Sequence, residues 1–187
     1  MTLVVWRHPK PHDVVGLCLG RTDAQVDPRK AKRLAHRVRR WARSAGAPHV
    51  VITSPLQRAA AVGRWLARWG WQHVTDERLA ELDFGSWDGC EWARIGAAPV
   101  QAWCDDFMHH APGGGEPVAM LLQRCAALLA AHHGGAAVCA VGHAGWISAA
   151  LWLQQRAGES LTAATWPAAL RYGERATFGA ESHQVAT

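Results

Sequence analysis

Short apolar runs alternate along this chain with longer stretches in which apolar positions return every three to four residues. Residues 2–6, Thr-Leu-Val-Val-Trp, are apolar and rich in β-branched side chains, which predicts a buried strand. Ala31, Leu34, Ala35, Val38, Trp41 and Ala42 recur at helical spacing and predict the buried face of a helix. Asp27 suits its N-cap, Pro28 its first position and Gly46 its stop. Residues 49–52 predict a second buried strand. That strand runs into Thr53-Ser54-Pro55, where Ser54 suits the cap of a helix that starts at Pro55, reaches about Trp69 and stops at Gly70. Residues 76–89 lack a clean period and read as a loop or short strand. Residues 95–110 read as one or two short helices, and Pro112-Gly113-Gly114-Gly115 as a turn. An amphipathic helix is expected over 116–133, broken by Gly134-Gly135. Another buried strand follows at 136–141, and Gly142-His143-Ala144-Gly145 turns into a helix reaching about Gln155. From Gly158 the pattern is ambiguous. Residues 170–178 leave room for a last strand or two, and the final residues are expected to fray.

Strands alternating with helices argue for a sheet covered by helices on both faces. No internal repeat or linker interrupts the pattern, and 187 residues suit one domain spanning 1–187. Hydrophobic residues make up 49% and charged residues 19%, which excludes a disordered chain. Arg7 and His8 end the first apolar run too early for a signal peptide, and no apolar stretch approaches the roughly 20 residues of a membrane helix. The five cysteines are odd in number and lack Cys-x-x-Cys spacing. They read as reduced thiols of a cytoplasmic protein, with no structural zinc. Most of the eleven tryptophans are expected in the core, leaving a few to line a pocket for an aromatic substrate.

Charge alters the picture at one place. Eight basic residues fall between Arg29 and Arg43, and without them the formal charge of +5 would become −3. A nucleic-acid-binding helix is one reading. The preferred reading is a solvated helix face, because no aromatic or hydrogen-bonding residues interleave with the charges. Nucleic acid and membrane are therefore not expected as partners.

In a sheet of this kind ligands sit beyond the carboxyl ends of the strands. Three such ends carry reactive side chains: Arg7-His8, Thr53-Ser54-Pro55 followed by Arg58, and Gly142-His143. Two guanidiniums match the oxygens of a phosphate, and helix N-termini add N–H donors. A neighbouring positive charge disfavours protonation of imidazole, and a neutral imidazole is what a nucleophile requires.

The order of the motifs says more than any one of them. Arg7-His8, then Thr53-Ser54-Pro55-Leu56-Gln57-Arg58-Ala59, then Glu81-Leu82-Asp83-Phe84-Gly85-Ser86-Trp87-Asp88-Gly89, then Gly114-Gly115-Glu116, then Gly142-His143-Ala144-Gly145 resembles the histidine phosphatase, or phosphoglycerate-mutase-like, superfamily. The resemblance spans residues 3 to about 152. It implies a three-layer α/β/α sandwich around a mixed, mostly parallel sheet. It implies that His8 becomes phosphohistidine, that Arg7, Arg58 and His143 hold the phosphoryl oxygens, and that Glu81 serves the leaving oxygen as proton donor and then activates water. It implies no metal and no cofactor, and a small phosphorylated molecule as substrate. Within the superfamily the chain is most similar to alpha-ribazole phosphatases of cobalamin assembly, through residues 16–23, Asp83-Phe84-Gly85-Ser86-Trp87 and Pro112-Gly113-Gly114-Gly115-Glu116. Arg21 and Trp87 are candidates to shape the substrate pocket, with packing an equal reading for Trp87.

Pro9 stands where the family has glycine, which removes one N–H donor, and Pro11 stands at a position usually occupied by a hydroxyl residue. Leu19 replaces a commonly aromatic residue and Pro117 a serine. Glu116 reads as a carboxylate favouring the N-terminus of its helix rather than a catalytic group. His109-His110 and His132-His133 lack a metal-binding pattern and read as solvated or loop histidines. A phosphomutase and a weakly active phospho-ligand-binding relative stay open as alternatives, and so does the choice between monomer and homodimer.

Overall fold

The first strand, β1, covers Leu3–Arg7. The structure, a computed structural model, describes residues 2–132, 136–155 and 160–179. Helix α1 covers Pro28–Ala45, strand β2 Val50–Thr53, helix α2 Gln57–Ala67 and strand β3 Gln72–Thr75. Two 3-10 turns follow at Glu77–Leu79 and Gly85–Trp87, then α3 at Trp92–Ile95 and α4 at Ala97–Asp105. Another 3-10 turn at Pro112–Gly114 precedes α5 at Val118–Ala131. Strand β4 at Val138–Gly142, helix α6 at Ala144–Gln155 and strand β5 at Arg175–Phe178 complete the described elements.

The five strands form one sheet in the order β3-β2-β4-β1-β5. All pairs are parallel except β1 with β5. The alternation along β1 sends Val4 and Trp6 to one face and Leu3 and Val5 to the other. Val4 and Trp6 join Leu34, Ala35 and Val38 of α1 and Val62 and Leu66 of α2. Leu3 and Val5 join Leu121 and Leu128 of α5 and Trp146 and Ile147 of α6. A helical layer on each face follows, as the α/β/α expectation requires.

Helix α1 has the expected ends: Asp27 accepts a hydrogen bond from the Arg29 amide, Pro28 opens the helix and Gly46 closes it. Its basic face is not bare of aromatics in space, although it is in sequence. Lys32 and Arg68 lie over Trp65, and Arg39 lies over Trp69, so cations of α1 and of the α2 C-cap cover indole faces at the end of α2 and just after it.

Four expectations need correction. Helix α2 begins at Gln57, not Pro55: Ser54 Oγ accepts from the Leu56 amide, and Asp23 caps the helix from a distant loop by accepting from the Gln57 amide at 2.6 Å. It also ends at Ala67, short of Trp69. Strand β3 has no sequence signal because Gln72–Thr75 is a largely exposed edge, held by pairing to β2. Helix α5 begins at Val118 because Pro117 is extended, so Glu116 precedes the helix instead of serving its first turn. Its carboxylate pairs instead with Arg124, Nε to Oε1 at 2.7 Å and Nη2 to Oε2 at 2.9 Å. Gly134-Gly135, His133, Gly158 and the final residues lie outside the described residues.

The register places three strand ends side by side. Arg7 of β1 pairs with Gly142 of β4, and Thr53 of β2 pairs with Val141 of β4. The His8 amide then donates to Gly142 O at 3.0 Å, and the Ser54 amide to Val141 O at 3.1 Å.

Leu66 is fully buried between α2 and the sheet. Leu66→Ala is expected to destabilise the fold by about 2–5 kcal/mol, read from denaturant unfolding midpoints.

Candidate active site

His8 follows β1 and is 3% exposed. Its Nδ1 lies 2.7 Å from Pro9 O. A carbonyl only accepts, so Nδ1 carries the proton of the neutral ring and Nε2 keeps the lone pair. The contact uses the carbonyl, which proline retains, so Pro9 in place of glycine leaves it intact.

His143, just after β4, is fully buried, with its ring centroid 4.9 Å from that of His8. Arg58 reaches it from the first turn of α2 and donates Nε to His143 Nδ1 at 3.2 Å. A guanidinium has no acceptor, so the neutral His143 ring must carry its proton on Nε2. That buried Nε2 has no hydrogen-bond partner among the described residues. Burial is the largest cause holding both histidines well below their ordinary pKa. Arg58 adds to it at both rings, Arg7 at His8, and His8 itself at His143.

Arg58 is 1% exposed. It donates Nη2 to Gly20 O at 2.5 Å and Nη1 to Thr22 O at 2.6 Å. Arg7 donates Nη1 to Leu170 O at 2.6 Å, and its guanidinium carbon lies 3.9 Å from the centroid of the Tyr172 ring. The Arg7 Nε is buried without a partner among the described residues.

Glu81 is 7% exposed and sits at the N-terminus of α6. Oε1 accepts from the Leu82 and Trp146 amides at 3.0 and 3.2 Å, and Oε2 from the Gly145 amide at 3.0 Å. A Cβ at residue 145 would lie 2.5 Å from Glu81 Oε1, so glycine at the start of α6 is what admits the carboxylate. Arg124 steadies the strand of chain that carries it, donating to Arg78 O at 2.9 Å and Glu81 O at 3.1 Å.

Arg7, His8 and Glu81 open onto a cavity of about 530 Å³. Arg58 and His143 stand behind this wall. Much of the lining is aromatic: Phe84, Trp92, Trp103, Phe107 and Trp166 line it, and so does Tyr172, which packs beside Arg7 and His8. Arg21 and Trp87 are not among the lining residues. Arg21 instead reaches toward Glu77, at 3.8 Å, and Trp87 packs edge-on against Trp103. Trp92, Trp103, Trp166 and Tyr172 had no motif to single them out; the abundance of tryptophan was their only trace. His109 and His110 belong to no group of three or more potential metal ligands among the described residues. Nor, among the described residues, is any helix long and apolar enough to cross a membrane.

The match to a family model decides the affiliation: residues 3–165 match the histidine phosphatase superfamily (branch 1). The chain belongs to that superfamily. Among solved structures, this histidine phosphatase is similar to a mycobacterial glucosyl-3-phosphoglycerate phosphatase, at 26% identity and a TM-score of 0.73, covering 94% of this chain and 88% of that one. It shares the fold of the alpha-ribazole phosphatase from Shigella flexneri, at 22% identity and a TM-score of 0.74, covering 95% and 89%. No curated protein sequence matches the chain. The superfamily makes the protein an enzyme of the phosphatase class.

The buried neutral histidines have a consequence for stability. Unfolded, each ring binds a proton near pH 6.5; folded, each stays neutral well below that. The unfolded state thus takes up more protons as pH falls below about 6.5, and stability drops by up to about 1.4 kcal/mol per pH unit for each ring. Unfolding midpoints at pH 7.5 and 5.5 should show this loss, and it should be smaller in His143→Gln.

Proposed function

We propose that the chain is a metal-independent phosphomonoesterase that works through phosphohistidine on His8. The observation that carries this reading is the proton placement: His8 Nδ1 is tied to a carbonyl, which leaves Nε2 a free lone pair on a ring kept neutral. Nε2 attacks phosphorus as the ester P–O bond breaks. Glu81 gives its proton to the departing oxygen. Glu81, now a carboxylate, takes a proton from water, whose oxygen attacks phosphorus and returns the electron pair of the P–N bond to His8. Arg7 and Arg58 offset the charge of the phosphoryl oxygens, and the unpartnered Nε2–H of His143 is the donor that one of those oxygens would meet.

The cavity supports a leaving group with a large flat apolar part. Among the described residues, the only Asp, Glu, Lys or Arg side chains that line it are Arg7 and Glu81, which sit with the neutral His8 at the catalytic end. A phosphoglycerate would need a further cation for its carboxylate, so hydrolysis of an aromatic phosphomonoester is favoured over a phosphomutase. Alpha-ribazole phosphate, in cobalamin biosynthesis, has such an aromatic group and is the proposed substrate. We take the chain as one catalytic domain. The cysteines of the chain are all free, which suits the cytoplasm.

Hydrolysis of p-nitrophenyl phosphate should persist in excess chelator and fall at least about a thousandfold in His8→Ala. Activity unchanged by that substitution would sink the assignment. A panel comparing kcat/KM for alpha-ribazole phosphate, glucosyl-3-phosphoglycerate and 3-phosphoglycerate should rank the first highest.

Glu81 has a second, purely structural use as the cap of α6, and leaving groups separate the two. Glu81→Gln should slow an alkyl phosphate far more than p-nitrophenyl phosphate, whose leaving group needs no proton. Equal losses would leave Glu81 only the capping role.

A further inference from the structure

Asp88 lies outside the cavity wall and outside the reacting groups. Its carboxylate nevertheless collects three consecutive backbone amides from a loop 66 to 68 residues away. Oδ1 accepts from Gly20 N at 3.0 Å, and Oδ2 accepts from Arg21 N and from Thr22 N, the latter at 3.0 Å. Successive amides turned onto one anion form a nest. The carbonyls of the first and third residues of that same turn, Gly20 and Thr22, are the acceptors of Arg58. Arg58 in turn holds His143 Nδ1. The turn has no slack against the segment that carries Asp88. A Cβ at Gly20 would lie 2.3 Å from Leu82 O and 2.8 Å from the Phe84 ring.

We propose that Asp88 is a positioning residue for the phosphoryl site, acting through the Gly20–Thr22 turn and Arg58 to fix which nitrogen of His143 carries the proton. This rests on the phosphohistidine reading above, since only there does a His143 Nε2–H have an oxygen to meet. The sequence of contacts is specific to a carboxylate. Asparagine keeps one acceptor oxygen but turns an NH2 toward amides that are themselves donors. The turn then loosens, its two carbonyls leave the Arg58 nitrogens, and Arg58 Nε no longer ties up His143 Nδ1. His143 then samples both neutral tautomers. The negative charge of Asp88 also acts directly on Arg58, favouring the buried cation.

The test uses the full chain and reads His143 itself. Imidazole 15N shifts at neutral pH report the tautomer, with His143→Gln used to assign the signals. Wild type should show Nδ1 as the unprotonated nitrogen, and Asp88→Asn and Asp88→Ala should shift both nitrogens toward the averaged values of mixed tautomers. With p-nitrophenyl phosphate, kcat should fall at least about tenfold in these variants while KM changes little. Asp88→Glu, which keeps the charge and both acceptors, should restore the wild-type tautomer and most of kcat. Wild-type 15N shifts in Asp88→Asn would overturn the proposal, whatever happens to its melting temperature. So would failure of both Asp88→Asn and Asp88→Ala to fold, because Asp88 would then serve only the tie between loops. If wild type hydrolyses no phosphomonoester, the functional reading falls, and the tautomer measurement still decides the role of Asp88.

Discussion

The structure around the active site depends on a guanidinium placed where water cannot reach it. Arg58 cannot shed its proton, so its burial is tolerable only if acceptors surround it. It finds two in the carbonyls of Gly20 and Thr22 and a third in His143 Nδ1. Each of these constrains something else. The carbonyls bind the loop after β1 to the first turn of α2. The imidazole contact decides the tautomer of His143. The charge, together with burial, keeps both His8 and His143 neutral. A lysine could not take its place, since a single ammonium offers no planar fork to span two carbonyls and a ring nitrogen.

That arrangement is available only because the sheet is parallel where it matters. With β2, β4 and β1 adjacent and parallel, their carboxyl ends share one edge, and residues 8, 54 and 143 meet there. The antiparallel strand β5 closes the far side of β1. The chain leading into β5 passes back over the site and delivers Leu170 O and Tyr172 to Arg7. One wall of the cavity therefore comes from a segment that follows all the motifs.

How much of this was legible in the sequence depends on the range of the interaction. Strand β1 and helix α1 were plain, since a five-residue apolar run and the pair Asp27-Pro28 are local signals. The strand-end histidines and Arg58 were legible through their order along the chain. Strand β3 is not legible, because Gln72–Thr75 is a largely exposed edge with no apolar period, held by pairing to β2 and by His73 packing against Gly63 of α2. The start of α2 is not legible locally because its cap is Asp23, more than thirty residues upstream. The role of Glu116 is hidden for a similar reason: its partner Arg124 lies two helical turns further on, and Pro117 ends the extended segment before the helix begins. In the sequence Asp88 is visible only as a carboxylate near Glu81, as Asp83 and Glu91 are, since one that serves backbone amides leaves no complementary side chain to betray it.

The proline substitutions and the aromatic cavity fit together in physical terms. Pro9 gives up an amide, but the atom His8 uses is the Pro9 carbonyl, so the proton on Nδ1 stays where it is. In the proposed mechanism, catalytic geometry would then be set by groups that Pro9 does not touch: Arg58 from α2, Gly145 admitting Glu81 at α6, and the turn whose amides meet Asp88. Much of the cavity wall is built elsewhere, by side chains such as Leu17 and Leu19 on one loop, Trp103 on α4 and Trp166 near β5. Arg7, His8, Glu81 and Gly145 belong to both sets, whereas Arg58, His143 and Asp88 do not line the cavity, so its apolar wall can vary in shape while Arg58 keeps its hold on His143. An enzyme built this way can change what it hydrolyses without changing how.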